Sequence, residues 1–239
     1  MRPRQTGFVA AVLVAWSGGC AEAVTSTGDE PLPVFAPATD LEPIGGTSLC
    51  VTAGHVETLG ARTLKVDAGG MRGIVAGAWT RSAELAFRYP GPSSVEAPLA
   101  DGELRRQIGI KLRARDTCNV VYVMWHVAPT TGIHVAVKRN PGASTHAACG
   151  DRGYVSARPS ELVQPAPIRA GEDHVLRADL DGDVLTVLAD GVLAWQGVLP
   201  AEASMFDGPT GIRTDNGRFD FELRVPKGSS RGPECPRSP

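Results

Sequence analysis

Two acidic residues near the C-terminal end of the chain have the spacing that acid–base chemistry on a strand would use. Asp220 and Glu222 lie two residues apart in an alternating segment, so on a strand their side chains project from the same face. Retaining glycosidases need two carboxyl groups about 5–5.5 Å apart. The alternative, which we favour, is a solvated strand face on which Arg224 pairs with these acids.

A second set of residues is typical of a binding surface. Tyr122 and His126 belong to one apolar strand-like segment, and if its alternate residues enter a core, both lie on the opposite face. By the same count, His134 and Lys138 line the neighbouring strand. An aromatic ring beside hydrogen-bonding side chains suits a sugar, so these four are the ligand-binding candidates. Alternatively, the loop 144–154 covers Tyr122, and this face is a second small core.

Motifs for other chemistries are missing from the sequence. The five histidines form no H-E-x-x-H or i,i+4 pair, and there is no G-x-S-x-G elbow or phosphate-cradling glycine motif. Asp179, Asp181 and Asp183 carry oxygens of the type that calcium binds. However, Asp-Gly within this group is ordinary turn chemistry. We therefore expect no metal and no cofactor.

Composition indicates a β-rich domain with many turns. The chain has 28 Gly and 19 Pro, and no long stretch with helical periodicity. Lys and Arg number 24 against 26 Asp and Glu, and this near-neutral balance gives no reason to expect nucleic acid as a partner. The length after removal of a leader suits one sandwich or barrel.

Alternation and turn signals place the strands that would position these residues. Strands are predicted where apolar and polar residues alternate, or where a run is apolar on both faces. Asp-Gly turns between such runs are the strongest short hairpin signal. The predicted strands are 107–115, 119–127, 133–138, 174–180, 184–188, 192–196 and 218–225, with one helical turn at 201–206. In the first of these, the basic residues form a stripe that we expect to be a solvated face.

The N-terminal residues predict export. Arg2 and Arg4 precede an apolar run, Phe8–Trp16, and small residues then lead to Cys20. A cysteine directly after two glycines resembles the lipobox of bacterial lipoproteins, in which Cys20 would be lipidated. The alternative is an ordinary signal peptide in which Cys20 is discarded. A spanning anchor is not expected, because the run is about half of the roughly 20 residues needed.

This interpretation divides the chain into four parts. Residues 1–20 are a lipoprotein-type signal, and 21–46 are a flexible Pro-rich tether. Residues 47–226 form the β-sandwich, and 227–239 are a C-terminal tail. The expected address is the bacterial cell envelope, with the chain held by lipid at an outer membrane, in the periplasm or at the cell surface.

The remaining cysteines support an oxidising compartment. Cys50, Cys118, Cys149 and Cys235 are an even number in a chain addressed for export. Of the three pairings that are open, we prefer Cys118–Cys149 and Cys50–Cys235. The second would tie the ends of the domain together and close a very long loop. A zinc site with His146 is the rival, but the sequence has no C-x-x-C pair.

The C-terminal strands carry a resemblance to a known superfamily. Three strands joined by D-G-D and D-G turns, followed by residues 208–221, resemble the C-terminal part of concanavalin A-like jelly rolls. The segment is similar to laminin-G-like and 3-keto-disaccharide hydrolase-type domains. The resemblance covers about residues 170–225 well and 60–160 by strand pattern, and residues 118–149 look like surface lipoproteins of myxobacterial type. It implies an all-β, antiparallel two-sheet jelly-roll sandwich.

The function expected from these features is non-catalytic binding of a glycan or a surface protein partner. The superfamily's catalytic strand pattern, E-x-D-x-E, is absent around Asp220 and Glu222. A glycoside hydrolase of the same fold that uses these two acids is the first alternative. A purely structural component of a surface assembly is the second. A fold of this kind does not by itself fix the function.

Overall fold

A computed structural model describes residues 40–229 and Cys235. It contains sixteen strands, one helical turn and two short 3-10 turns. The strands are β1 Leu41–Pro43, β2 Leu49–Ala53, β3 Glu57–Thr58, β4 Leu64–Asp67, β5 Gly70–Val75, β6 Ser82–Pro92, β7 Arg106–Leu112, β8 Val120–Ala128, β9 Gly132–Lys138, β10 Tyr154–Ser156, β11 Glu161–Leu162, β12 Asp173–Asp181, β13 Val184–Ala189, β14 Val192–Val198, β15 Gly211–Asp215 and β16 Gly217–Pro226. The helical turn α1 is His146–Cys149, and the 3-10 turns are Gly46–Ser48 and Ala201–Met205.

The strands form two antiparallel sheets. The nine-stranded sheet has the order β11-β14-β13-β12-β6-β16-β4-β3, with β1 on the other part of β16. The seven-stranded sheet has the order β10-β9-β8-β7-β15-β5-β2. Neighbours in space are distant in sequence at β6–β16 and at β15, which lies between β5 and β7. The predicted all-β, two-sheet sandwich is confirmed.

The core lies between the inner faces of the two sheets. Trp125 of β8 is fully buried and meets Phe87 of β6 edge-on, with ring centroids 5.6 Å apart. Phe87 in turn meets Phe219 of β16 at 6.0 Å. Edge-to-face contacts of this kind add to the free energy gained by burying the rings. The central strands of both sheets are therefore locked together by aromatic side chains.

The C-terminal hairpins follow the turn residues that the sequence carries. Asp181 pairs with Val184, so Gly182 and Asp183 form a two-residue loop between β12 and β13. Asp190 and Gly191 make the next loop, both with positive φ. Two adjacent residues with positive φ are what a type I′ hairpin turn requires. The predicted hairpins and the helical turn after β14 are confirmed.

Two disulfides join the expected cysteines. Cys50 is bonded to Cys235, and Cys118 is bonded to Cys149. The first bridge joins β2 to the C-terminal tail. The second fixes α1 to Cys118, two residues before the start of β8, which ties the loop after β9 to the seven-stranded sheet.

The domain begins earlier than the sequence predicts. Residues 41–43 were assigned to the tether, but they form β1 and pair with β16, and Ile44 is buried. A short segment can join a sheet whenever an edge offers unpaired backbone groups, and residue composition does not reveal this. At the other end β16 stops at Pro226. The signal, Cys20 and most of the tether lie outside the described residues.

The predicted solvated basic stripe is wrong for two of its members. Lys111 of β7 and Arg113, just after β7, were expected on a solvated face, yet both are buried. Arg115 is exposed, as a solvated face requires. One face of β7 enters the core between the sheets, and on the other face Lys111 lies beside Tyr122 of β8 and Arg213 of β15. Alternation of polar residues in the sequence does not distinguish a solvated face from a buried polar one.

The disulfides allow a comparison of loop lengths. Cys50 and Cys235 are 185 residues apart, and Cys118 and Cys149 are 31 apart. In the loop-closure model, the first bridge contributes about 5 kcal/mol and the second about 4 kcal/mol. Replacing Cys50 and Cys235 by Ser should therefore lower the free energy of unfolding more than replacing Cys118 and Cys149. Urea denaturation of both double variants measures this, and the reverse order would contradict the model.

Candidate functional site

The outer face of the seven-stranded sheet carries an unusual concentration of polar and aromatic side chains. On β8 the residues Val121, Val123 and Trp125 enter the core, and the alternate residues Tyr122 and Met124 point the other way. His126 continues this outer row. We call this surface the polar face. Its geometry follows from the two-residue period of a strand.

The interstrand register brings the candidate residues of β8 and β9 side by side. Met124 lies opposite His134, and Tyr122 lies opposite Ala136. On the other side, Met124 lies opposite Gly109 of β7. A Cβ at Gly109 would collide with the Val123 carbonyl oxygen and lie 2.7 Å from the Met124 Cα, so only glycine allows the backbones of β7 and β8 to approach this closely.

The two histidines on this face form a neutral pair. The rings of His126 and His134 have centroids 5.4 Å apart and are tilted by 30°. Burial, the neighbouring His134 and the cations Arg105 and Arg213 lower the pKa of His126 to about 3. Burial and then Arg105 lower the pKa of His134 as well. Neutral imidazoles each offer one donor and one acceptor nitrogen.

Tyrosine 154 of the edge strand β10 extends over this face. Its ring stacks on that of Tyr122, with centroids 6.0 Å apart and an interplanar angle of 24°. The Lys138 ammonium lies 5.1 Å from the centroid of Tyr154. Tyr154 keeps 41% of its surface exposed, whereas Tyr122 is buried. The Tyr154 ring is therefore open to solvent and is supported by the buried Tyr122 ring.

A buried carboxylate organises the arginines on the same face. Asp215 of β15 is 1% exposed, and its two oxygens accept hydrogen bonds from three side chains. These donors are Arg72 Nη2 at 2.6 Å, Gln107 Nε2 at 2.6 Å and Arg213 Nε at 2.8 Å. Burial disfavours the charge on Arg213, but the ion pair with Asp215 outweighs it and raises the pKa of Arg213. Both guanidinium groups are thus charged and held in fixed orientations.

Two lysines on the polar face are buried beside these arginines. Lys138 is 2% exposed and donates to the Gly150 carbonyl at 2.5 Å. Lys111 is 4% exposed and donates to the Gly73 carbonyl at 3.3 Å. Burial, together with the charges of Arg72 and Arg213, lowers the pKa of Lys111 to about 7.

Two hollows open on the polar face, and Tyr154 contributes to the lining of both. The first hollow has a volume of about 260 Å³ and the second of about 340 Å³. Tyr122, Tyr154, Asp151 and Arg213 line both of them. The first hollow also contains the histidine pair and Gln107. The second hollow also contains Arg72, Lys111 and Lys138.

The four ligand-binding candidates from the sequence lie together on this face. Tyr122, His126 and His134 line the first hollow, and Lys138 lines the second. The alternative prediction, that the loop 144–154 covers Tyr122 and makes this face a second small core, also has support, because Tyr154 at the end of that loop stacks on the Tyr122 ring. The cover is partial, because both hollows remain beside it. Whether these residues bind a ligand stays a prediction.

Sequence reasoning missed the residues of β5 and β15. Residues 211–215 are not among the predicted strands, but they form a central strand between β7 and β5. Arg213 and Asp215, two residues apart, thereby reach the polar face together with Arg72. The alternation Arg-Thr-Asp was the available signal, although five residues are too few to establish a period.

The acidic pair lies on the opposite sheet. Asp220 and Glu222 are on the outer face of β16, away from the polar face. Glu222 accepts a hydrogen bond from Arg224 at 2.6 Å, and Arg224 also binds Glu84 at 2.6 Å. The pairing with Arg224 that the sequence predicts is therefore present at Glu222.

Comparisons with known proteins report on the fold. No protein-family model and no curated protein matches this sequence. A solved carbohydrate-binding module of family 66 from Bacillus subtilis is similar, with a TM-score of 0.51, 13% identity, and coverage of 73% of this chain and 92% of that one. The family 16 endo-β-1,3(4)-glucanase SCLam has a TM-score of 0.48 at 11% identity, with 84% and 95% covered. A Caenorhabditis elegans galectin has 0.38 at 10% identity, with 76% and 97% covered.

The fold is an antiparallel, two-sheet jelly-roll sandwich. The similarity in fold to the family 66 module, together with the two antiparallel sheets, bears out the architecture that the C-terminal strands predicted. At this level of identity the likeness concerns the fold alone.

Two further features of the described part of the chain can be stated briefly. Residues 40–229 and Cys235 contain no group of three or more His, Cys, Asp or Glu placed to hold a metal ion. In the same residues no helix is long and apolar enough to cross a membrane.

The buried Lys111 leads to a prediction about stability. The pKa of this lysine falls from 10.5 to about 7 on folding, so the folded chain binds fewer protons between these pH values. Below pH 7 the lysine is charged in both the folded and the unfolded chain, and burial of the charge lowers the free energy of unfolding by its full amount. This penalty decreases as the pH rises from 7 and is gone above 10.5. Lys111→Met should therefore raise the free energy of unfolding by about 1–3 kcal/mol at acidic pH.

Urea denaturation at several pH values measures this effect. The gain should shrink steadily on going above neutral pH. Lys65→Met is the matched control, because Lys65 is partly exposed on the other sheet and pairs with Glu57. If the Lys111→Met substitution raises the free energy of unfolding equally at all pH values, or lowers it at acidic pH, the burial of the Lys111 charge is not destabilising.

Proposed function

We propose that this chain is an exported, lipid-anchored cell-envelope protein whose β-sandwich binds carbohydrate on the polar face without catalysis. The observation that carries the proposal is the exposed Tyr154 ring, which lines both polar hollows and stacks on Tyr122. A flat ring with open solvent beside it offers the C–H face of a sugar an apolar platform. Polar groups around the ring fix the position of the hydroxyl groups.

The first hollow supplies hydrogen-bonding groups suited to hydroxyls. His126 and His134 are both held neutral, so each side chain offers a donor and an acceptor without charge. A sugar hydroxyl is likewise both donor and acceptor. Gln107 is fixed by its bond to Asp215, which leaves its side-chain oxygen without a protein partner among the described residues.

Binding without catalysis is supported by the state of the carboxyl groups. A glycosidase acid needs a carboxyl group whose pKa is raised. Asp215 is occupied by three donors, and Asp101, at the rim of the first hollow, has its pKa lowered by the Glu103 backbone amide. The two acids of β16 are on the other sheet, and Glu222 is bound to Arg224.

The likeness in fold to a carbohydrate-binding module supports the same proposal, although it concerns the fold alone. Export is supported by the two disulfides, because such bonds form and persist in oxidising compartments. The charged and apolar N-terminal residues and Cys20 are the basis for the lipid anchor.

Binding is tested with glycan arrays followed by isothermal titration of the best ligand. Tyr154→Ala should weaken binding about tenfold or more, because it removes the stacking platform. His134→Ala should weaken binding through lost hydrogen bonds. The matched control is Asp220→Asn with Glu222→Gln on the opposite sheet, which should leave the affinity unchanged. Equal affinity in the Tyr154 variant would place the ligand elsewhere.

The same titrations separate binding from hydrolysis. We expect a bound oligosaccharide to be recovered intact after prolonged incubation. Release of shorter sugars by the native chain, abolished in the Asp220/Glu222 double variant, would favour the glycoside hydrolase instead.

The anchor is tested by labelling with a radioactive fatty acid in a bacterial host. The native chain should carry label and fractionate with membranes, and Cys20→Ser should lose the label because the acceptor thiol is gone. Secretion of an unlabelled native chain that begins after Ala21 or Ala23 would instead indicate an ordinary signal peptide.

A further inference from the structure

The residues that line the second hollow carry more positive than negative charge. It is lined by four cationic side chains, namely Arg72, Lys111, Lys138 and Arg213. The only carboxylate in its lining is Asp151, which is exposed at the rim. The chain as a whole has a formal net charge of −2, so the positive charge is a local feature.

The two lysines of this hollow have no acidic partner among the described residues. Lys138 and Lys111 donate only to the backbone carbonyls of Gly150 and Gly73. A carbonyl dipole compensates a buried ammonium less well than a carboxylate does. Buried cations of this kind are costly, and an anion entering the hollow would reduce the cost.

Asp215 orients the two arginines, but it does not neutralise the full positive charge of the pair. That carboxylate is shared between them, so one negative charge is set against two positive charges. Arg213 uses Nε for Asp215 and Nη1 for the Tyr154 hydroxyl at 3.4 Å. Its Nη2 donates no hydrogen bond to any of the described residues. A guanidinium held in this way is preorganised to donate to a further oxygen.

We propose that the carbohydrate bound by this face is acidic, and that the second hollow is the subsite for its anionic group. This inference rests on the proposed function and specifies the class of ligand. The shared chemistry is a negatively charged oxygen group on a sugar ring, either a uronic acid carboxylate or a sulfate ester.

The arrangement of the hollows fits a single oligosaccharide. Tyr154 and Tyr122 line both, so a chain that stacks on Tyr154 extends into each. A residue in the first hollow meets neutral imidazoles and an amide. The next residue meets the cations of the second hollow, which bind its anionic group. The face thus distinguishes successive sugars by charge.

The test compares matched acidic and neutral ligands by isothermal titration. Oligogalacturonate is compared with its methyl ester, and dextran sulfate with dextran, at about pH 6, below the lowered pKa of Lys111. We expect at least one acidic ligand to bind tenfold or more tightly than its neutral counterpart. The pair that shows the preference identifies the anion as carboxylate or sulfate.

Variants assign the preference to the second hollow. Arg72→Gln and Lys138→Gln should each reduce the ratio of acidic to neutral affinity about threefold or more, because each removes one cation from the subsite. Arg88→Gln is the matched control, since Arg88 pairs with Asp173 on the opposite sheet. It should keep the native ratio. The comparison of ligands on the native chain stands even if Lys138→Gln fails to fold.

The outcomes distinguish this inference from the proposed function. If acidic and neutral ligands bind equally and Tyr154→Ala weakens both, the face binds sugar and the anion subsite is refuted. If poly-L-glutamate binds as tightly as the acidic sugars, attraction to any polyanion explains the result, and the inference is again overturned. If no saccharide binds at all, the proposed function fails with it.

Discussion

The two-residue period of a strand, combined with burial of one face of each sheet, is the constraint on which the whole molecule depends. Once Trp125 and its neighbours on β8 enter the core, Tyr122, Met124 and His126 must occupy the other face. The same holds for β7 and β15, where Ile110 and Ile212 are buried between the sheets. Polar side chains from successive strands are thereby gathered on one surface.

Such a gathering of charges needs a counter-charge. Asp215 supplies it by binding side chains from β5, β7 and its own strand. Removing the carboxylate would leave two half-buried guanidinium groups beside Lys111 without a counter-charge, so the arginines and the acid form one structural unit. The unfavourable burial of the Lys111 and Lys138 charges is not offset by a carboxylate in the same way. The charges of the arginines are thus compensated by a carboxylate, whereas among the described residues those of Lys111 and Lys138 meet only backbone carbonyls.

The outer row of β8 and its partner on β9 were predictable, because nine and seven residues of alternating or continuous apolar character define a face. Arg72, Arg213 and Asp215 were not, since their strands are short and pair with segments far away in the chain. Burial of Lys111 was equally hidden. Its sequence neighbours alternate like those of a solvated strand, and only the side chains above β7 distinguish the two cases.

Local patterns in the chain were enough to predict the β-rich class, the C-terminal hairpins with their Asp-Gly turns, and the segments that carry Tyr122, His126, His134 and Lys138. These features depend on local backbone preferences and short-range periodicity, which are encoded within a few residues. The folded arrangement was needed to establish that β15 lies between β5 and β7, that Tyr154 covers Tyr122, and that four cations share one hollow. Contacts between distant segments depend on packing across the whole sandwich, so no local pattern contains them.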